Sequence, residues 1–564
     1  VSQHGDREQL ERGIYTRKQV IRGAAAMGMG LALGPLLAAC GSSDGAAAGS
    51  GATAVPRTKG GILVVAYQQE PATLDPAIAW NNLEWIIEHC VFEGLYRYSS
   101  QVGKETELEP CLADGMPVVS NGGKTYTIKL RKGVKFQAPV SREVTAEDFA
   151  YTFERMMRMP LAPATYFYTN IVGVADYMDK KADHVAGFKA LDEGTLQIDL
   201  VQPQSSFLNI LTMEFCDVVA REWCEKWGDK QIGRHPLGTG PFAFDHWTVG
   251  QEVVLKANPS YWDAGRVYLD GLQFVLSYTP ETAFLKLQRG DVDILGDNLP
   301  AADIPRMTHD PSWKPYVLSA PLIATQNLFL NVGIKPFDDL RVREALSWAV
   351  NRDKLVKLLS GSARALWQVY PEGMPGYVAG KKYYGYDPQK AKQLLSAAGY
   401  PDGFSTTIWT DNVDPRPKLM QSIQNDLAAI GVKADIKSMS NQTYSAFAST
   451  PKTCAMGPSG WWMDYPDPSD WMALYSKGAA VKGGTNCTFW WSPELEEMMV
   501  EAEKIQDAEA RIAEYDKIQD YIMSQAPYVS MYQPVMTTMH SKRVGGMTSL
   551  HPVYWWEPQW MWVG

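Results

Sequence analysis

Beyond residue 60 the apolar positions switch repeatedly between a period of two and a period near 3.6. Ile62-Leu63-Val64-Val65-Ala66 is a short apolar run of strand length. Leu83, Ile86, Ile87, Cys90 and Val91 follow at helical spacing. Residues 125–130 alternate as a strand, and Asn121-Gly122-Gly123 ahead of them signals a turn. Thr145 predicts an N-cap for a helix carrying Phe149, Phe153, Met156 and Met157. Residues 195–200 read as a further strand.

The stretch 341–430 has the sharpest pattern. Val342, Ala345, Leu346, Ala349 and Val350 form one apolar helix face. Asp387-Pro388 combines an N-cap with Pro at the first helical position, and Gly399 closes the helix that holds Ala391, Leu394, Leu395 and Ala398. Residues 406–410 read as a strand. A helix with Leu419, Met420, Ile423, Leu427 and Ile430 follows, ended by Gly431, and residues 432–436 alternate again. Strand, helix, strand predicts a βαβ unit with parallel pairing and a right-handed crossover. Ser492-Pro493 starts another helix, with Glu494, Glu496 and Glu497 at its positive end. No internal repeat and no long linker interrupts the chain after residue 60. The fold class is therefore α/β, in lobes that the chain crosses more than once.

Composition narrows the function. The 564 residues suggest three to four domain-sized units. Apolar residues make up 45% and charged residues 21%, ordinary for a packed globular protein. With 53 basic and 63 acidic side chains the net charge is −10. Such a surface repels phosphate backbones and argues against a general nucleic-acid binder. The 19 Trp and 27 Tyr imply a large core or a pocket that reads its ligand with flat faces.

Residues 1–39 read as an export signal: Arg17, Lys18 and Arg22 are a basic start, and a small, apolar run follows. The run is broken by Gly and Pro, which suits a permanent membrane span poorly. It ends in Leu37-Ala38-Ala39-Cys40, which resembles the lipobox of bacterial lipoproteins, with Cys40 as the lipidated residue. Arg17-Lys18 also looks like a weakened twin-arginine signal, which leaves the export route open. Residues 40–58, rich in Gly, Ala and Ser, are a flexible tether. This predicts a lipid-anchored body at the outer face of the cytoplasmic membrane, on its periplasmic or cell-surface side.

A search for catalytic motifs finds no G-x-S-x-G, H-E-x-x-H, Walker A or C-x-x-C pattern. The eight His are scattered, with no pair at ligand spacing on one helix, so no metal and no cofactor is expected. Cysteines 90, 111, 216, 224, 454 and 487 remain after Cys40. Cys454–Cys487 and Cys216–Cys224 are possible pairs in an oxidising compartment, and free buried thiols are the alternative. Asn486-Cys487-Thr488 matches the glycosylation pattern and is read as chance. One constellation stands out: Gly460-Trp461-Trp462-Met463-Asp464-Tyr465-Pro466-Asp467-Pro468. Its prolines forbid a regular helix, and a rigid aromatic loop with fixed carboxylates is what a cleft needs to hold a cation. The competing reading makes the Trp core residues and the Asp turn caps.

An ordered series of motifs then resembles one family. Gln69-Glu70-Pro71-Ala72-Thr73-Leu74-Asp75-Pro76, Phe92-Glu93-Gly94-Leu95, Leu108-Glu109-Pro110 with Leu112-Ala113, and residues 129–136 come first. Thr145-Ala146-Glu147-Asp148-Phe149, Gly238-Thr239-Gly240-Pro241-Phe242, Asn258-Pro259-Ser260-Tyr261-Trp262, Gly290-Asp291-Val292-Asp293 and Val342-Arg343-Glu344-Ala345-Leu346 complete it. Over residues 58–540 the chain resembles the extracellular solute-binding proteins of ABC importers, in the dipeptide/oligopeptide/nickel-binding family. The resemblance implies a two-lobed periplasmic-binding-protein-like fold (type II, cluster C) with an extra subdomain on the first lobe. Lobe one is expected over 59–98, 199–320 and 530–564, the extra subdomain over 99–198, and lobe two over 321–529. The implied function is capture of a solute, foremost a di- or oligopeptide, by hinge closure and delivery to a membrane permease, by a monomer that is not an enzyme. Asp464, three residues after Trp461, matches the family position that pairs with a peptide's α-ammonium. Glu70 matches a pocket-lining carboxylate, and Trp462 and Tyr465 flank the anchor. Trp462 departs from the smaller residue of many relatives, so an oligosaccharide stacked on Trp stays as an alternative. A metal-chelate or haem binder and an extracellular hydrolase are the others.

Overall fold

A computed structural model describes residues 55–159 and 162–564. The export signal, Cys40 and most of the tether lie outside the described residues.

Three sheets organise the chain. The first has five strands in the order Ile294–Leu295, Ile62–Ala66, Gly271–Val275, Glu252–Ala257, Phe242–Thr248. Ile62–Ala66 runs parallel to both its neighbours, with Ile62 opposite Gly271 and Val65 opposite Ile294. Its Leu63 and Val65 are fully buried, which is why this β-branched run forms an inner strand. The helix Asn82–Val91 packs on this sheet; Asn81 caps it by accepting the Glu84 N–H at 3.1 Å. Glu84 in turn accepts the N–H groups of Ala72 at 2.7 Å and Trp80 at 3.0 Å, which pins the preceding loop to the helix start.

A four-stranded antiparallel sheet follows, in the order Val118–Ser120, Thr125–Lys129, Thr195–Asp199, Phe188–Asp192. The helix Ala146–Arg158 covers it. A capping box between Thr145 and Asp148 starts that helix, and Arg142 clasps Asp148 and Glu222.

The third sheet orders Val317–Pro321, Tyr528–Met539, Ala324–Leu330, Met456–Trp462, Ser405–Asp411 and Lys433–Met439, with Ala363–Ala365 added on Tyr528–Met539. The expected βαβ unit is present. Ser405–Asp411 and Lys433–Met439 pair in parallel around the helix Arg416–Ala428, and the second strand runs three residues further than the alternation predicts. The helices Leu340–Ala349 and Pro388–Ala397 bury Val342, Ala345, Leu346, Ala391 and Leu395 against one core. The first two sheets cover two adjoining cores, and the strands Ala324–Leu330, Met456–Trp462 and Ser405–Asp411 of the third cover others. The long strand Tyr528–Met539 pairs with both Val317–Pro321 and Ala324–Leu330, and His540 bridges to Ile294 of the first sheet. The chain therefore crosses between lobes along adjacent strands.

Several of the ordered motifs meet at one buried group. The Glu93 carboxylate accepts bonds from Thr239 Oγ1 (2.9 Å), the Tyr261 hydroxyl (2.8 Å) and Trp262 Nε1 (2.9 Å). Gly238 and Gly240 pass so close to the end of the helix Asn82–Val91 that a Cβ would lie 2.3 Å and 2.8 Å from the Val91 carbonyl oxygen. Any larger residue there would push the hub apart.

All six described cysteines are free thiols, so neither expected pairing occurs in the structure. Cys216 sits in the core beneath the four-stranded sheet and lies 3.1 Å from the Tyr168 hydroxyl, whereas Cys224 belongs to the core of the first sheet. Cys454 instead directs its thiol to the Met456 carbonyl at 3.7 Å. Asn486 is buried and donates to the Trp490 carbonyl at 2.8 Å, which withholds it from glycosylation in the folded chain.

Candidate functional site

The expected Trp-rich loop is in part a strand. Met456–Trp462 pairs antiparallel with Ala324–Leu330, placing Thr325 opposite Trp461 and Ala324 opposite Trp462. The prolines 466 and 468 come after the strand has ended, so they restrict only the segment beyond it. Strand alternation then separates the two indoles. Trp461 turns inward, with its ring edge-on to Trp80 at 6.4 Å; Trp462 is 46% exposed and lies 5.9 Å from Trp555.

Asp464 follows directly. Its Oδ1 accepts the indole N–H of Trp80 from the first lobe at 2.8 Å, and its backbone N–H donates to Asp470 Oδ2 at 3.0 Å. Its Oδ2 is buried and has no protein partner. Burial pushes the Asp464 carboxyl up from 3.8 to about 7; the Trp80 bond opposes the rise, and the nearby Glu214 charge adds to it. Asp470, fully buried behind it, is also pushed well up, by burial first and then by the charge of Asp464. Asp467 is tied down differently: Arg511 forks onto both its oxygens, with Nη1 to Oδ1 at 2.9 Å.

Asp464 opens onto a small cavity of about 20 Å³ between the lobes. From the second lobe come Met463 and Asp464; from the first come Trp85, His89, Tyr98 and Glu214, with Tyr554 of the C-terminal segment. His89 Nε2 is 2.6 Å from Glu214 Oε1, and the Tyr554 ring stands edge-on to His89 at 4.3 Å. A second cavity of about 40 Å³ adjoins, sharing His89, Thr212 and Tyr554 with the first.

The remaining expected site residues separate. Tyr465 is buried among first-lobe apolar groups, edge-on to Phe167 at 5.8 Å, and bonds Ser469 at 3.2 Å. Glu70 is not brought to this cavity. It accepts Trp247 Nε1 at 2.9 Å and the Gly250 N–H at 3.1 Å, beside Arg234, and so fastens the opening loop to the outer hairpin of the first sheet. Reading the sequence missed Trp80, His89, Glu214 and Tyr554. Trp80 and His89 flank recognisable motifs, and four Trp within the last ten residues were a signal that the C-terminal segment covers something. Glu214 had no local signature.

Across the lobe boundary Ser206 Oγ donates to Glu503 Oε2 at 2.6 Å, and Ser205 Oγ donates to the Ile505 carbonyl at 2.6 Å. A first-lobe turn is thereby latched to the end of the helix Pro493–Lys504.

Comparison with known proteins decides the family. The family model for bacterial extracellular solute-binding proteins, family 5, middle region, matches residues 107–483. The chain belongs to this family. It is a transport binding protein of the ABC-importer type and not an enzyme. A di/tripeptide-binding protein 1 of Pseudomonas aeruginosa is 31% identical over 89% of this chain and 95% of its own length. A glutathione-binding protein, GsiB, of Shigella flexneri is 29% identical over 86% of this chain and 91% of its own. The solved structure of the periplasmic binding protein DppA from Helicobacter pylori, in complex with the peptide STSA, superposes with a TM-score of 0.76. Its identity is 27%, covering 90% of this chain and 99% of that one. These neighbours are two-lobed periplasmic binding proteins, as the resemblance implied. Among the described residues no helix is long and apolar enough to cross a membrane.

Proposed function

We propose that this chain captures a di- or oligopeptide by its free α-ammonium and hands it to a membrane permease after closing over it. One observation carries the reading: the buried Asp464 lines a cavity between the lobes, and one of its carboxylate oxygens has no hydrogen-bond partner. An ionised carboxylate is costly to bury unless a cation arrives. The relatives named for di/tripeptides and for glutathione support it, since both ligand types carry an ammonium beside amide groups.

The cavities of about 20 and 40 Å³ are far below the roughly 300–1,000 Å³ of small-molecule pockets, so a peptide enters only when the lobes part. Hinge opening along the paired crossing strands is the motion required. We divide the chain as 59–98, 199–320 and 530–564 for lobe one, 99–198 for its extra subdomain and 321–529 for lobe two. Cys40 is assigned as the lipidated residue of a monomer whose signal, 1–39, is removed, with 40–58 as tether at the outer membrane face. Trp461 walls the anchor together with Trp80. Trp462 is left as an exposed aromatic face, whereas Tyr465 and Glu70 are structural rather than ligand-binding.

The test is mass spectrometry of ligand co-purified with the protein, followed by calorimetry on Asp464→Asn. The expected result is a peptide with an unblocked N-terminus, whose binding the variant loses. Tight binding of an uncharged sugar that Asp464→Asn leaves intact would overturn the reading.

A further inference from the structure

Asp464 does not face its cavity alone. Glu214 opens the short turn Glu214–Cys216 on the first lobe, is buried, and lines the same cavity. One of its oxygens meets His89 at 2.6 Å. Asp470 adds a third buried carboxylate behind Asp464. Among the described residues no Lys or Arg lines this cavity. The cavity therefore gathers acidic groups from both lobes with no Lys or Arg on its own wall, and Arg97 lines only the adjoining one. Like charges brought together in a dry site repel, so closure needs positive charge from outside.

The donor count fits one group. An ammonium presents three N–H donors. Asp464 Oδ2, free of protein partners, takes one, the Glu214 carboxylate a second, and the Thr212 or Tyr98 hydroxyl on the cavity wall a third. An acetylated N-terminus offers one N–H and no charge, and leaves the carboxylates facing each other.

We propose that Glu214 is the first-lobe half of the ammonium site, so that a single ligand cation is held by one carboxylate from each lobe. This rests on the peptide reading above and deepens it. It explains how a small group on the ligand controls a large motion. A ligand favours the closed state only through contacts it gains there, and a cation between two lobes gains its second carboxylate only on closure. His89, bonded to Glu214, is a positioning residue that orients the carboxylate.

The test uses calorimetry with di-, tri- and tetra-alanine and their N-acetyl forms on the wild-type protein, Glu214→Gln and Asp464→Asn. Truncating one partner of a buried charge pair weakens binding by about tenfold or more. Glu214→Gln is expected to weaken the free peptides by at least that factor and to leave the N-acetyl forms within about twofold. Free peptides that bind Glu214→Gln as tightly as wild type, while Asp464→Asn loses them, would remove Glu214 from the site and leave the peptide reading standing. Equal weakening of free and acetylated peptides would make Glu214 merely structural. A wild-type protein that binds no free alanine peptide removes both ideas. Independently of any variant, a crystal structure with tri-alanine is expected to place the terminal nitrogen within about 3.2 Å of both carboxylates; a nitrogen beyond hydrogen-bond reach of Glu214 overturns the proposal.

Discussion

Acidification should close the empty protein. In an open cleft Asp464 meets water and titrates near its ordinary 3.8; in the closed structure burial lifts it to about 7. The sign follows from which form binds the proton more tightly. Below 3.8 both forms are protonated and closure carries no charge penalty. Between 3.8 and 7 the closed form keeps a proton that the open form has lost, so closure becomes less favourable with each rise in pH. Above 7 both are ionised and the penalty is full. At about 1.4 kcal/mol per tenfold, the difference amounts to about 4 kcal/mol, a factor of about a thousand in the open–closed ratio. Asp470 and Glu88, both fully buried, are pushed in the same direction and add to the effect. The assay is the radius of gyration of ligand-free protein by small-angle scattering from pH 4 to 9, for wild type and Asp464→Asn. Wild type is expected to compact as the pH falls through about 7; the neutral variant is expected to be compact throughout and to lose most of the pH dependence. Affinity for an ammonium ligand runs the other way, falling below about pH 7 as the proton competes for the carboxylate. A wild-type radius that stays flat from pH 5 to 8, or a variant with an unchanged slope, would refute the reasoning.

Two further substitutions test the lobe contacts and the loop beneath the anchor. Ser206→Ala deletes the 2.6 Å bond to Glu503, a charge-assisted contact worth about 1.5–3 kcal/mol, so the variant should scatter as a more open particle and bind its ligand about tenfold more weakly; unchanged scattering and affinity would show that the latch contributes nothing to closure. Arg511→Ala strands the buried Asp467 carboxylate at about 3–5 kcal/mol and should lower Tm in calorimetry by about 3–5 °C, whereas a shift below about 1 °C would show that Asp467 finds another partner.

Local rules made much of the fold legible. The N-cap at Thr145, the Asp387-Pro388 start and the βαβ unit expected over 406–436 depend on neighbours in sequence, and each formed within a few residues of where the pattern placed it. The anchor segment was partly misread for the same reason. Two nearby prolines suggested a loop, but the ladder to Ala324–Leu330 supplied hydrogen bonds that a strand needs and that no local rule could foresee. The thiols were undecidable from spacing, because a disulfide needs two side chains to meet in space and Cys216 and Cys224 belong to different cores.

What the amino-acid order determined by itself is the alternation of elements, the acidic character, and an Asp set between aromatic groups. What only the tertiary structure decided is the company of that Asp. Trp80, His89 and Glu214 lie hundreds of residues from it along the chain and Tyr554 about ninety, and they reach it because adjacent crossing strands bring two separately built lobes face to face. Charge and burial act through distance in space, so the chemistry of Asp464 becomes readable only once the folded chain has chosen its neighbours.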